Sequence, residues 1–287
     1  MAGANAKDIK NRIRSMESTR QITKAMEMVA SSKLRRVQSR ALNARPYFQT
    51  LYQAYTGIAA KHDCTGTPFF QEREVRKVCY VVIAGDRGLA GGYNAGVLRL
   101  ACEGMQGAEE ITVLPIGKKA VEYFKGHGYR LMTETYAEAA TMTMGDCFTV
   151  ANLLAKGFRD GTYDQVCVVY TNFISVLSQS PANLPLLPIP KDSAGAETPD
   201  KTRSSLVLYE PGYEAVLNTI IPEYLGGVLY GALCESLASE QGARRTAMEA
   251  ATKNAGEMIE DLSLKYNRAR QGAITQEITE IVAGSDA

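Results

Sequence analysis

The sequence predicts an α/β chain in which a long antiparallel coiled coil, made by the N- and C-terminal helices, carries an inserted α/β domain. Three observations predict it: helical apolar spacing at the start of the chain, short apolar runs alternating with helix-like segments in the middle, and a return of the helical spacing after about residue 211. The boundaries that follow are a helix over 1–57, an α/β domain over 58–210 and a second helix over 211–287. A chain of 287 residues, 45% of them apolar, has enough material for a buried core and roughly two domains.

The first helix rests on Ile9, Ile13 and Met16, which step by four and three, and on Ile22, Met26 and Val29, which repeat that step. Pro46 is expected to kink it or restart it. About 50 helical residues would span roughly 75 Å, more than an ordinary domain's width. In the middle, Val78–Gly85, Ile111–Ile116 and Val166–Phe173 are apolar, β-branched runs that predict buried strands. Helices are predicted over Asn94–Met105, Lys118–Lys125 and Met144–Phe158. The four prolines of Pro181–Pro190 and the polar Lys191–Lys201 predict a loop, with room for an edge strand, and Ser205–Tyr209 predicts one more strand.

In the C-terminal helix, Met248, Ala251, Ala255, Met258, Leu262, Tyr266, Ala269 and Ala273 advance by threes and fours, a narrow seam of the coiled-coil kind. Pro222 is expected to kink or restart this helix. Helices that enter and leave the same domain pair only antiparallel, and the longer C-terminal one is predicted to overhang from about Ser263 to Val282.

Charge is uneven. Met1–Arg45 has eleven Lys/Arg against three Asp/Glu, and Glu214–Ala287 has six against eleven. A basic arm alone would suggest nucleic acid, but the acidic second arm favours pairing between the arms or contact with charged partners. No run of 18 uncharged apolar residues occurs, so no membrane span is predicted, and the stretch after Met1 does not resemble a secretory signal. Six scattered cysteines without a C-x-x-C predict neither a disulfide framework nor a zinc site. Two histidines, His62 and His127, leave little for histidine catalysis or metal binding.

The run Gly85–Asn94 (GDRGLAGGYN) lies between a predicted strand and helix, where a turn can cradle phosphate. Its glycines fall as G-x-x-G-x-x-G-G, not as G-x-G-x-x-G, and fit a tight strand-to-helix turn better. Asp86 and Arg87 are expected to hold that junction or to contact partners of this domain rather than to catalyse. No P-loop, nucleophile elbow or paired-histidine motif is present. Lys24–Arg36 (KAMEMVASSKLRR) ends in a dense basic face suited to acidic partner segments. A nucleotide-dependent enzyme and a helical nucleic-acid binder are the competing classes, testable by nucleotide titration and salt-dependent DNA binding.

ITKAMEMVASSKLRR near the N-terminus, DRGLAGGYN after the first strand, and ARRTAMEAATKNAGEMIEDLSLKYNRARQGAITQEITEIVAG from Ala243 to Gly284 resemble the gamma subunit of bacterial F-type ATP synthase. The resemblance runs in order over essentially the whole chain. Ala90 stands where cysteine is common in the family, and no cysteine-bearing regulatory insertion is evident. The resemblance implies a Rossmann-like α/β foot and a coiled-coil shaft inside a ring of three alpha and three beta subunits. It implies epsilon and the c ring as partners at the foot, proton-driven rotation, and ATP chemistry on beta, assisted by alpha. It also implies a peripheral location on the cytoplasmic face of the bacterial plasma membrane, without membrane insertion, cofactor or nucleic acid. By similarity, Lys24 and Met26 meet the beta lever segment, Arg244 is a matching basic position, and Arg270, Gln271 and Thr275 bond to the ring from the overhang.

Overall fold

The computed structural model describes residues 2–59, 61–62, 64–189 and 209–285. The strand predicted over Ser205–Tyr209 lies almost wholly outside these residues, and Tyr209 itself has no regular structure. Two compact units emerge: 33–243, and the pair 1–32 with 244–287.

In the first unit, β1 (Lys77–Ile83), β2 (Glu110–Ile116), β3 (Arg130–Leu131), β4 (Gln165–Phe173) and β5 (Gln179–Leu187) form one sheet in the order β3-β2-β1-β4-β5. The first four are parallel and β5 joins β4 antiparallel. β1 is buried on both faces, as its unbroken apolar run demands. Its side chains divide between two cores by the period of two. Cys79, Val81 and Ile83 pack with Val150, Leu154 and Phe158 of α4 (Met144–Arg159) and with Leu217, Ile221 and Leu225 of α5 (Tyr213–Ser285). Val78, Tyr80 and Val82 pack with Val97 and Ala101 of α2 (Tyr93–Gly104) and with Ala120 and Phe124 of α3 (Lys118–Gly126). The end of α1 (Ala2–Ala59) adds Tyr55 and Ile58 to the first core. Helices thus cover both faces, the Rossmann-like arrangement.

The proline-bearing segment is an edge strand, not only a loop: Pro181 pairs with Thr171 and Pro185 with Cys167. An edge strand bonds to a neighbour on one side only, so it tolerates residues without an N–H. Neither Pro46 nor Pro222 restarts its helix; both lie inside continuous ones. Gly226 and Gly227 seat two aromatic rings against α5. A Cβ at Gly226 would lie 2.2 Å from Cδ1 of Phe148, and one at Gly227 2.1 Å from Cδ1 of Phe48.

In the second unit the two helices pair antiparallel. The hydroxyls of Thr23 and Thr252 hydrogen-bond at 2.8 Å, while Ile9 and Arg12 border Leu262, Lys265 and Ala269. The α1 seam is Ile9, Ile13, Met16, Thr23 and Ala30, an alternation of fours and threes when Arg20 and Glu27 are counted in. Ile22 and Val29 are therefore not in it; they are 57% and 54% exposed. Each sits one residue, about 100° of helix, from the inward position. Likewise Met258 is 47% exposed and Ile259 takes its place, and Thr252, bonded to Thr23, takes that of Ala251, so the α5 seam runs Met248, Thr252, Ala255, Ile259, Leu262, Tyr266, Ala269, Ala273. The overhang is shorter than expected. Leu262 to Ala269 still have α1 beside them, and carrying the Thr23–Thr252 register outward sets Ala2 beside Ala273.

Two outcomes follow. Gly117 holds φ +95°, and a Cβ there would lie 2.2 Å from the Ala84 carbonyl oxygen. Gly117→Ala should cost about 2–4 kcal/mol in a denaturant titration. In the helix pair, Ala255→Leu should cost about 1–3 kcal/mol by overfilling the seam. Met258→Ala should stay within about 0.5 kcal/mol, as a surface change does. Thermal melts of the full chain check both, and reversed costs would restore the Met258 seam.

Candidate functional site

The glycine-rich turn is a mechanical joint. Asp86 accepts the N–H groups of Ala139 and Ala140 at 2.9 and 3.1 Å and that of Lys118, at the start of α3, at 3.4 Å. Asn94 Oδ1 accepts the Gly85 N–H at 2.9 Å, and its amide donates to the Arg87 carbonyl at 3.2 Å. Lys118 and Glu138 add an ion pair at 2.8 Å across the same joint. Asp86 thus ties the turn to the start of α3 and to the segment at 139–140. In doubly wound sheets ligands sit where the strand order reverses, here between β1 and β4. That place is filled by α5: Ser236 and Ser239 bond to Thr171, and Glu240 lies against Gly85. A cavity of about 800 Å³ in this unit lies elsewhere, between α1 and α5, lined by Ala41, Phe48, Tyr52, Tyr224 and Val228 among others.

The six residues singled out for coupling all lie in the helix pair, in three groups. Lys24 is exposed, and its ammonium is 3.1 Å from both carboxylate oxygens of Glu27 one turn on. Such an exposed pair contributes ~0–1 kcal/mol, so it steers the lysine more than it stabilises the helix. Beside it, Arg20, Gln21, Ala25, Met28 and Thr252 outline a shallow hollow of about 310 Å³. Met26 is half-buried, with a share in packing and a share at the surface. Arg244 is half-buried where α5 enters this unit.

Arg270, Gln271 and Thr275 are exposed. Gln271 and Thr275 are one turn apart, and the Thr275 hydroxyl donates to the Gln271 carbonyl at 2.9 Å. That bond uses the hydroxyl proton and leaves the oxygen as an acceptor. Eighteen residues of helix, about 27 Å, separate Thr252 beside Lys24 from Arg270. The structure therefore brings Gln271 and Thr275 together and keeps them far from Lys24 and Met26. Spacing alone missed the outward apolar residues Ile22, Met28, Val29 and Leu264. A strict heptad count from Ile9 exposes Ile22 and Val29, so that signal was available. Among the described residues no helix is long and apolar enough to cross a membrane.

A family model described as ATP synthase matches residues 5–287. The ATP synthase gamma chain of Ruminococcus albus is 46% identical over 98% of this chain and 98% of its own. The ATP synthase gamma chain, sodium ion specific, of Acetobacterium woodii is 40% identical over 99% and 98%. A chain in the mitochondrial ATP synthase structure of Euglena gracilis shares the fold, with a TM-score of 0.66 and 19% identity over 99% of this chain and 94% of that one. An antiparallel helix pair joined to a Rossmann-like sheet, matched along nearly its full length, places this chain in the ATP synthase gamma-chain family.

Proposed function

We propose that the chain is the central rotor shaft of a bacterial F-type ATP synthase, and that it couples proton-driven rotation of the c ring to conformational change at the beta-subunit sites. The observation that carries this reading is the 46% identity to a gamma chain over nearly the full length of both chains. The chain itself is non-catalytic; ATP chemistry belongs to beta, assisted by alpha. The α/β unit is the foot, meeting epsilon and the c ring at the cytoplasmic face of the membrane without entering it.

A rotor shifts a catalytic site only by interacting differently with each of that site's conformations. Lys24 and Met26 supply one such contact, Arg244 a second, and Arg270, Gln271 and Thr275 a third. The planar guanidinium and amide of Arg270 and Gln271 bond directionally, so their energy depends on angle. Ile274, Ile278 and Ile281, all exposed, centre the tip, because apolar contact has no preferred direction.

Arg270→Ala with Gln271→Ala should lose two hydrogen-bonding side chains, roughly 1–3 kcal/mol, or about 5- to 150-fold in complex yield or ATP turnover. Ending the chain after Ile278 should be milder. Copurification with alpha and beta and an ATPase assay of both variants check this. A double substitution without effect would move the coupling elsewhere along the helices, and failure of the wild-type chain to enter the complex would defeat the rotor reading.

A further inference from the structure

β4 is longer than its neighbour. Its parallel pairing with β1 ends at Val82↔Val169, yet β4 continues to Phe173. Beyond that point the edge of β4 that faced β1 has lost its partner strand. Two side chains of α5 take over. The Thr171 N–H donates to Ser236 Oγ at 3.1 Å, and Ser239 Oγ donates to the Thr171 carbonyl at 3.1 Å. The Glu235 side chain lies near the Phe173 backbone N–H, which offsets part of the upward push that burial gives its carboxyl pKa. Ser236 and Ser239 are fully buried and Thr171 nearly so, leaving no water to substitute. One residue further on, Glu240 lies against the end of β1, where a Cβ on Gly85 would come within 2.9 Å of its Oε1. Both central strands of the foot therefore end on one turn and a half of the same helix.

We infer that Ser236 and Ser239, with Glu235 beside them, form a splint that stiffens the rotational setting of α5 against the sheet, and that torque passes from foot to shaft through it. This rests on the rotor reading. The α5 core contact from Leu217 to Leu237 is largely apolar, with close ring seats at Gly226 and Gly227, and where the strands end the hydrogen bonds add a directional constraint to that packing. Turning α5 by one residue, about 100°, would bring Leu237 where Ser236 stands and strand the buried amide and carbonyl of Thr171. The serines and glutamate are positioning residues: they touch no reacting group.

The test uses the assembled complex with its alpha–beta ring fixed to a surface and a bead on the foot. With the ring stalled by a non-hydrolysable ATP analogue, the angular variance of the bead reads the stiffness between foot and shaft. Ser236→Ala with Ser239→Ala should widen that variance about twofold, as when one of two parallel constraints is lost, with unloaded ATP turnover unchanged. Ser239→Thr, which keeps the hydroxyl, should restore the wild-type width relative to Ser239→Ala. If the double variant does not assemble, that pair of single variants decides alone. Wild-type variance in the alanine variants, or equal variance in Ser239→Ala and Ser239→Thr, overturns the splint. A wild-type bead that does not turn on ATP overturns the rotor reading instead.

Discussion

Along α5 the demand for burial changes sharply, and the architecture follows from that change. From Leu217 to Ala238 the helix buries Leu217, Ile221, Leu225, Leu229, Leu233 and Leu237 together with Tyr230, Ala232 and Cys234 between them. A helix apolar on so many sides is stable only when surrounded, here by α1, α4 and the sheet. From Met248 outward, Met248, Ala255 and Leu262 are the deeply buried residues, one every seven, with half-buried ones between. One continuous helix is thus a core element of the α/β unit in one part and a coiled-coil strand in another. The close seats at Gly226 and Gly227 belong to the first part, where rings of Phe148 and Phe48 press on its backbone.

The helix pair is held by a thin seam. Among the described residues, the ion pairs Lys24–Glu27, Lys253–Glu257 and Lys265–Asp261 each lie within one helix. At the surface such pairs add little. Small residues at Ala30, Ala255, Ala269 and Ala273 instead let the helices approach closely, and Thr23 with Thr252 supplies a polar tie.

Much of this was legible in residue order. β1, β2 and β4 are continuous apolar runs because they are covered on both faces, and helices α2 to α4 follow the helical period. β3 escaped notice because two residues, Arg130 and Leu131, carry no pattern. Pro181 and Pro185 disguised β5, since a proline-rich strand is readable only once its place at the edge is known. Ile22 and Val29 misled because hydrophobicity was followed over strict spacing; Thr23, a polar residue, holds the inward position. Lys24, Arg270 and Gln271 gave no local signal of their own. An exposed charge or amide on a helix looks alike whether it meets a partner or water, and only the long motifs around them set them apart. The splint was invisible for another reason: serines in a helix gain meaning only when a strand end is found against them.

The claim on which the rest depends is that α5 over 225–241 belongs to the same cooperative unit as the central strands. Hydrogen exchange on the full chain tests it directly. The amides of 225–241, β1 and β4 should open with one common free energy, and all should rise together in denaturant. Exchange in 225–241 faster than in β1 and β4 by more than about tenfold, roughly 1.4 kcal/mol, would mean that the helix opens while the sheet stays closed, and would contradict the account.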